Sequence, residues 1–176
     1  MSDRPHSLSS QGVQFIAAFE GFVDHLYDDA APTHNATIGY GHLLHTGPAT
    51  DADRRKYPHG ITKPAALELL REDAAGFASD IAKSVKPTLS QAQFDALVSF
   101  AYNLGFPTLA ASTLWREING GGLVTELSSS DDGKRHAAQN TLRQLWVEYD
   151  HAGTTVLAGL EKRRQMEAHL FMTGEY

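Results

Sequence analysis

A single, mainly helical α+β domain is the fold class this sequence predicts, and three observations carry that reading. Over residues 63 to 85 the apolar side chains Leu67, Leu70, Ala74, Phe77, Ile81 and Val85 recur every three or four positions, the period of one helix face. Between Tyr27 and Leu44 that period gives way to glycines, Asn35 and the alternating pair Ile38 and Tyr40, which reads as a small strand-and-turn region. The chain has 176 residues, 41% hydrophobic and 20% charged, enough for one domain with a sizeable core and too few for two average ones.

The elements follow in order. Ser9 or Ser10 can cap a first helix whose apolar positions are Val13, Ile16, Ala17 and Phe19, with Gly21 as its stop, so Glu20 falls at a helix end. After the strand-and-turn region, Thr62 is a good N-cap and Pro64 is tolerated in the first turn of the helix over 63–85, about 34 Å long at 1.5 Å per residue. Ser90 and Gln93 have capping-box spacing and open a helix through Phe94, Leu97, Val98, Ala101 and Tyr102 to Gly105. A helix over about 113–118 stops at Asn119 and three glycines, and the stretch ELSSSDDGKR at 126–135 reads as loop. Two more helices are expected over 136–151 and 159–173. This gives a small lobe over about 9–62, a connecting helix over 63–85 and a helical lobe over 86–176.

Composition narrows the function. A formal net charge of −6 without a basic stripe argues against nucleic acid, which is bound largely through clustered Lys and Arg. Zero cysteines exclude disulfides and thiol catalysis. The first residues lack a charged-then-apolar secretory pattern, and no stretch has the length of a membrane helix. The expectation is a monomer made in the cytoplasm without a signal peptide and without a membrane span.

Two acids stand out chemically. Hydrolysis of a glycosidic bond uses one carboxylic acid to protonate the leaving oxygen and a second carboxylate across the bond. Glu20, at a helix end among apolar neighbours, and Asp29, in a loop nearer water, suit those two roles. Asp28 is adjacent to Asp29 and chemically identical. His34, His42 and His45 invite a metal reading, yet no ligand spacing such as HExxH supports it, so neither a metal nor another cofactor is expected.

The blocks FEGFVDHLYDD, TIGYGHLL, LSQAQFDALVSFAYNLG, STLWREING and GLEKRRQMEAHLF, in that order from about residue 9 to residue 173, resemble the phage-type lysozymes, the muramidase endolysins of glycoside hydrolase family 24. The resemblance implies a lysozyme-like fold, with a small β-containing lobe and a larger helical lobe joined by the long helix. It implies Glu20 as general acid, with Asp29 and Thr37 holding the attacking water; the spacing from Glu20 selects Asp29 over Asp28. Thr33 is the lesser substitute for Thr37, because the turn AAPTHN is longer than the family's usual one. By itself, Thr37 would read as a strand residue chosen for β propensity.

The same resemblance makes Asn103, Gly39 and Tyr40 candidate substrate contacts and pairs His42 with Asp73 as a structural ion pair. Arg163 and Arg164 match the family's double arginine, and by themselves read as a solvated helix face. Trp115, Trp146 and Tyr149 read as core aromatics. The implied substrate is the glycan strand of bacterial peptidoglycan, met at the cell wall after release or delivery. A holin, a secretion machine and an immunity protein are the partners this leaves open. The acidic balance departs from the basic phage members and fits a delivered effector domain. A silent lysozyme-like peptidoglycan-binding module and a lytic transglycosylase are the rival readings.

Overall fold

The computed structural model describes residues 5–152 and 155–176. By contact density the chain divides into two compact units, one of residues 13–75 and one of residues 76–176 with the segment before Val13. The divisions fall inside helices, between Gly12 and Val13 and between Ala75 and Gly76.

The 13–75 unit begins in helix α1 (Ser10–Glu20), which buries Val13, Phe15, Ile16 and Ala17 at the spacing the sequence predicts. Gly21 ends it in the left-handed region, at φ +69°. Strands β1 (Val23–Asp28), β2 (Ala36–Gly39) and β3 (His42–His45) form an antiparallel sheet in the order β1-β2-β3. The central strand β2 is buried along its whole length, as the middle of a small covered sheet must be.

β1 starts four residues before the region expected from the sequence. Between the pairs Val23–Gly39 and Tyr27–Thr37 it carries a bulge, which breaks the two-residue alternation that would have marked it as strand. The bulge is bound by the chain entering the next helix: the Ile61 N–H donates to the Asp24 carbonyl at 2.8 Å. Gly60 lies so close that a Cβ there would stand 1.9 Å from that oxygen, and its φ is +73°. Only glycine fits both demands.

Helix α2 (Asp51–Lys56) is closed by a capping box between Thr50 and Asp53. Helix α3 (Lys63–Ser84) starts directly after Thr62, whose carbonyl accepts from the Ala66 N–H at 2.9 Å. Its buried row is Ala66, Leu70, Ala74, Ala78 and Ile81, with Leu67 and Phe77 half-buried beside it, so the inward face is turned slightly from the predicted stripe.

In the other unit, helix α4 (Gln91–Leu104) carries the predicted Ser90–Gln93 capping box and ends at Gly105. Helices α5 (Phe106–Ala111), α6 (Thr113–Gly120), α7 (Gly122–Leu127), α8 (Asp132–Val147) and α9 (Ala158–Thr173) follow, with the two-residue strands β4 (His151–Ala152) and β5 (Thr155–Val156) before the last. α9 packs on α4 and α8. Phe94, Leu97, Phe100, Trp146 and Phe171 fill that core, with the Trp146 and Phe171 rings 5.2 Å apart. Trp115 is buried as expected, and Tyr149 sets its ring edge-on to Phe100.

The 126–135 stretch corrects the loop expected there. Glu126 and Leu127 close α7, and Asp131 accepts from the Lys134 N–H at 3.1 Å to start α8 at Asp132. One aspartate at the N-cap converts what composition reads as loop into helix. The helix expected over 136–151 accordingly starts and stops four residues early.

Candidate active site

Glu20, Asp29 and Thr37 all lie in the 13–75 unit, each at a chain feature that fixes it. Glu20 is the last residue of α1, with Gly21 and Phe22 between it and the sheet. Asp29 is the first residue beyond β1, and Thr37 is the second residue of β2, opposite Tyr27.

Between Asp29 and Thr37 stands Asn35, which the sequence marks only as a turn former. The Asn35 backbone N–H donates to Asp29 Oδ1 at 2.8 Å, and its side-chain amide donates to Oδ2 at 3.2 Å. The Ala31 N–H adds a bond to Oδ1 at 3.1 Å. The Asn35 carbonyl accepts from the Asp29 N–H at 3.0 Å and from the Thr37 hydroxyl at 2.9 Å. Its remaining oxygen, Oδ1, accepts from Thr33 Oγ1 at 2.7 Å and from the Gly47 N–H at 3.2 Å. One asparagine thus ties both ends of the long turn to β2 and to the segment after β3.

The electrostatic result is definite. The backbone N–H of Asn35 is the largest influence holding the Asp29 carboxyl below the usual carboxylate range. The Asn35 amide and the Ala31 N–H act the same way, against partial desolvation. Asp29 is therefore ionised and an acceptor only. Burial, then the Asp29 charge, pushes the Tyr27 phenol up. Thr37 is buried at 4% exposure, with its hydroxyl proton committed to Asn35, so its oxygen can only accept.

The other candidates are placed as follows. Asp28 caps a different turn, accepting from the Ala49 N–H at 2.7 Å. Thr33 is exposed and braces Asn35. Gly39, at φ +72°, sits where a Cβ would come within 3.0 Å of Ala66, and Tyr40 is at the tip of the β2–β3 turn with its ring 5.3 Å from that of Phe22. His42 Nδ1 lies 2.9 Å from Asp73 on α3. His45 faces a separate acid, Asp53, at 2.8 Å. Among the described residues no group of three His, Cys, Asp or Glu could hold a metal.

Asn103 belongs to the other unit. It is half-buried near the end of α4, and its side-chain oxygen accepts from Arg164 Nη2 at 2.9 Å. The double arginine departs from the solvated face expected of it: Arg163 is 4% exposed and Arg164 fully buried. Both bind the buried Glu167, Arg163 through Nε at 3.1 Å and Arg164 at 3.2 Å. That carboxylate offsets one of the two buried charges, while the Ser99 carbonyl accepts from Arg163 and the Phe100 ring lies under Arg164, its centroid 4.6 Å from the guanidinium carbon.

A mainly helical α+β domain with this small sheet has a lysozyme-type fold. Superposed on the muramidase domain of SpmX from Asticaccaulis excentricus, the chain gives a TM-score of 0.69 at 28% identity, covering 96% of this chain and 99% of that one. The family described as phage lysozyme matches residues 17–167, and the chain belongs to it. It is 36% identical over 170 residues to an endolysin of Bacillus phage B103, covering 96% of this chain and 55% of that protein. It is 30% identical to an endolysin of Acyrthosiphon pisum secondary endosymbiont phage 1, covering 93% of this chain and 97% of that one. The chain spans about half the length of the Bacillus phage relatives it matches. Among the described residues no helix is long and apolar enough to cross a membrane.

Proposed function

We propose that the chain is a muramidase that hydrolyses the β-1,4 bond between N-acetylmuramic acid and N-acetylglucosamine in peptidoglycan, at the cell wall after release or delivery. The observation that carries this reading is the Asp29–Asn35–Thr37 arrangement. Asp29 and the Thr37 hydroxyl are two acceptors fixed on one asparagine. A water that donates one O–H to Asp29 and the other to Thr37 keeps its lone pair free to attack the anomeric carbon. Asp29 Oδ2 takes one bond where Oδ1 takes two, which leaves it the readier oxygen for that water.

Glu20 is the general acid that protonates the leaving oxygen from the end of α1. Attack by water opposite that acid inverts the anomeric carbon. Asp29, ionised, takes the proton that the water loses as its oxygen bonds to the anomeric carbon, and with Thr37 it orients that water and stabilises developing positive charge on the sugar. Asn103, Gly39 and Tyr40 are the substrate contacts in this reading, and His42 with Asp73 braces β3 on α3.

The test is turbidity loss of purified peptidoglycan with wild type, Glu20→Gln and Asp29→Asn, each checked for folding by circular dichroism. Wild type is expected to clear the suspension, and each variant to be slower by about 100-fold or more, the usual worth of a positioned acid or base. Mass spectrometry of the products reads the reaction itself. Reducing ends are expected; anhydro ends would make the protein a transglycosylase, and sacculi bound but intact would make it a binding module.

A further inference from the structure

Resting on the muramidase reading, we propose that Lys63, together with Phe22 and Tyr40, forms a subsite that holds a carboxylate of the peptide stem borne by the glycan strand. Phe22 follows Glu20 by two residues, and its ring lies 5.3 Å from that of Tyr40, tilted by 47°. Both rings are half-buried, so the pair keeps a face at the surface, two residues along the chain from Glu20 in the case of Phe22. Gly21 and Gly41 flank it at φ +69° and +82°, and a Cβ at either would meet nothing within 4 Å. The backbone there is bent to shape and the space above it is open.

The Lys63 ammonium stands over the Phe22 ring, 5.7 Å from its centroid. Among the described residues Lys63 has no carboxylate partner, and its side chain is exposed. Helix stability does not explain it. Lys63 is the first residue of α3, where a cation opposes the helix dipole, and no acid in that first turn offsets it. The Phe22 ring attracts the ammonium but leaves its charge without a counter-ion, and an anionic ligand supplies one.

The sugar backbone itself is neutral and needs only the apolar ring faces and hydrogen bonds. In a fully substituted strand the lactyl carboxyls are tied up as amides, so the carboxylates are those of the peptides. A sugar on the Phe22–Tyr40 platform brings such a stem within the field of Lys63. The cation thereby favours strands with free stem carboxylates over strands in which these are blocked.

The experiment uses peptide-bearing glycan strands freed of phosphate polymers, with the stem carboxylates left free or converted to neutral amides with carbodiimide and methylamine, and measures the dissociation constant of each by co-sedimentation. Wild type is expected to prefer the strands with free carboxylates. Lys63→Gln is expected to lower that preference about three- to five-fold, the scale of one exposed ion pair, and Lys63→Arg to retain it. A preference unchanged in Lys63→Gln, or one that appears only when phosphate polymers are left on the strands, overturns the proposal. Release of reducing ends is scored separately, so failure of the muramidase reading shows there while binding still decides the role of Lys63.

Discussion

Asn35 donates two N–H groups to Asp29, and its backbone carbonyl accepts from the Thr37 hydroxyl, so Asn35→Ala leaves the Thr37 bond in place and loosens only the hold on Asp29. It keeps the backbone donor and removes the amide. The Asp29 carboxyl should then move up toward the ordinary carboxylate value, and the acid limb of kcat/KM against pH should shift to higher pH. Stability should fall by about 1–2 kcal/mol in urea unfolding, for the lost bonds to Thr33 and Gly47 as well. In wild type the contribution of the depressed Asp29 is present above the ordinary carboxylate value and lost as pH falls through the folded-state value. Spacing and chemistry mark Glu20 and Asp29 in the sequence as candidates. They miss Asn35, because an asparagine among small residues reads as turn chemistry whatever it binds.

One buried carboxylate on α9 bonds to both helices it packs on. Glu167, fully buried, accepts from Ser99 on α4 at 2.7 Å and from the Trp146 indole on α8 at 3.1 Å, besides its two arginines. Burial pushes its carboxyl up, and Arg164 and then Arg163 oppose this. Glu167→Ala should destabilise by about 3–5 kcal/mol in urea unfolding, because it leaves buried guanidinium groups uncompensated. A gentler pair links β3 to α2. The Asp53 side chain raises the His45 imidazole above 6.5, and His45 in turn lowers Asp53. The His45 contribution is present below its unfolded value and is lost as pH rises through its folded value; that of Asp53 is lost only at acid pH. The melting temperature of wild type should therefore fall as pH climbs above about 6.5, and that of His45→Asn should stay level over the same range. Periodicity revealed α3 and α4, whose stripes run for several turns. The Thr50–Asp53 box has the same spacing as Ser90–Gln93, yet the six-residue helix it opens is too short to show a stripe. Arginines at helical spacing read as solvated because their partner, three and four residues on, looks like one more surface acid.

The molecule also joins segments far apart in sequence, and these joins are the part of the fold no local pattern reports. The buried Asp95 on α4 accepts from the Tyr176 hydroxyl at 2.6 Å and from the Ser9 hydroxyl, and Gln91 donates to it at 2.8 Å. Burial, then the Asp95 bond, pushes the Tyr176 phenol up to about 12. The associated stability is present below the ordinary value of 10 and lost as pH rises through about 12. Tyr176→Phe should cost about 1 kcal/mol at neutral pH by urea unfolding, the net worth of one hydrogen bond. Only the family resemblance made the fold class readable over nearly the entire chain, and even it left these joins unmarked. The closed neck of the long turn has a practical side. With Asp29 and Asn35 bonded to each other, residues 30–34 form a bubble closed at its neck, inside which Ala31 and Thr33 bond back to those two residues. A foreign peptide grafted there leaves the carboxylate in place only where Ala31 and Thr33 are kept.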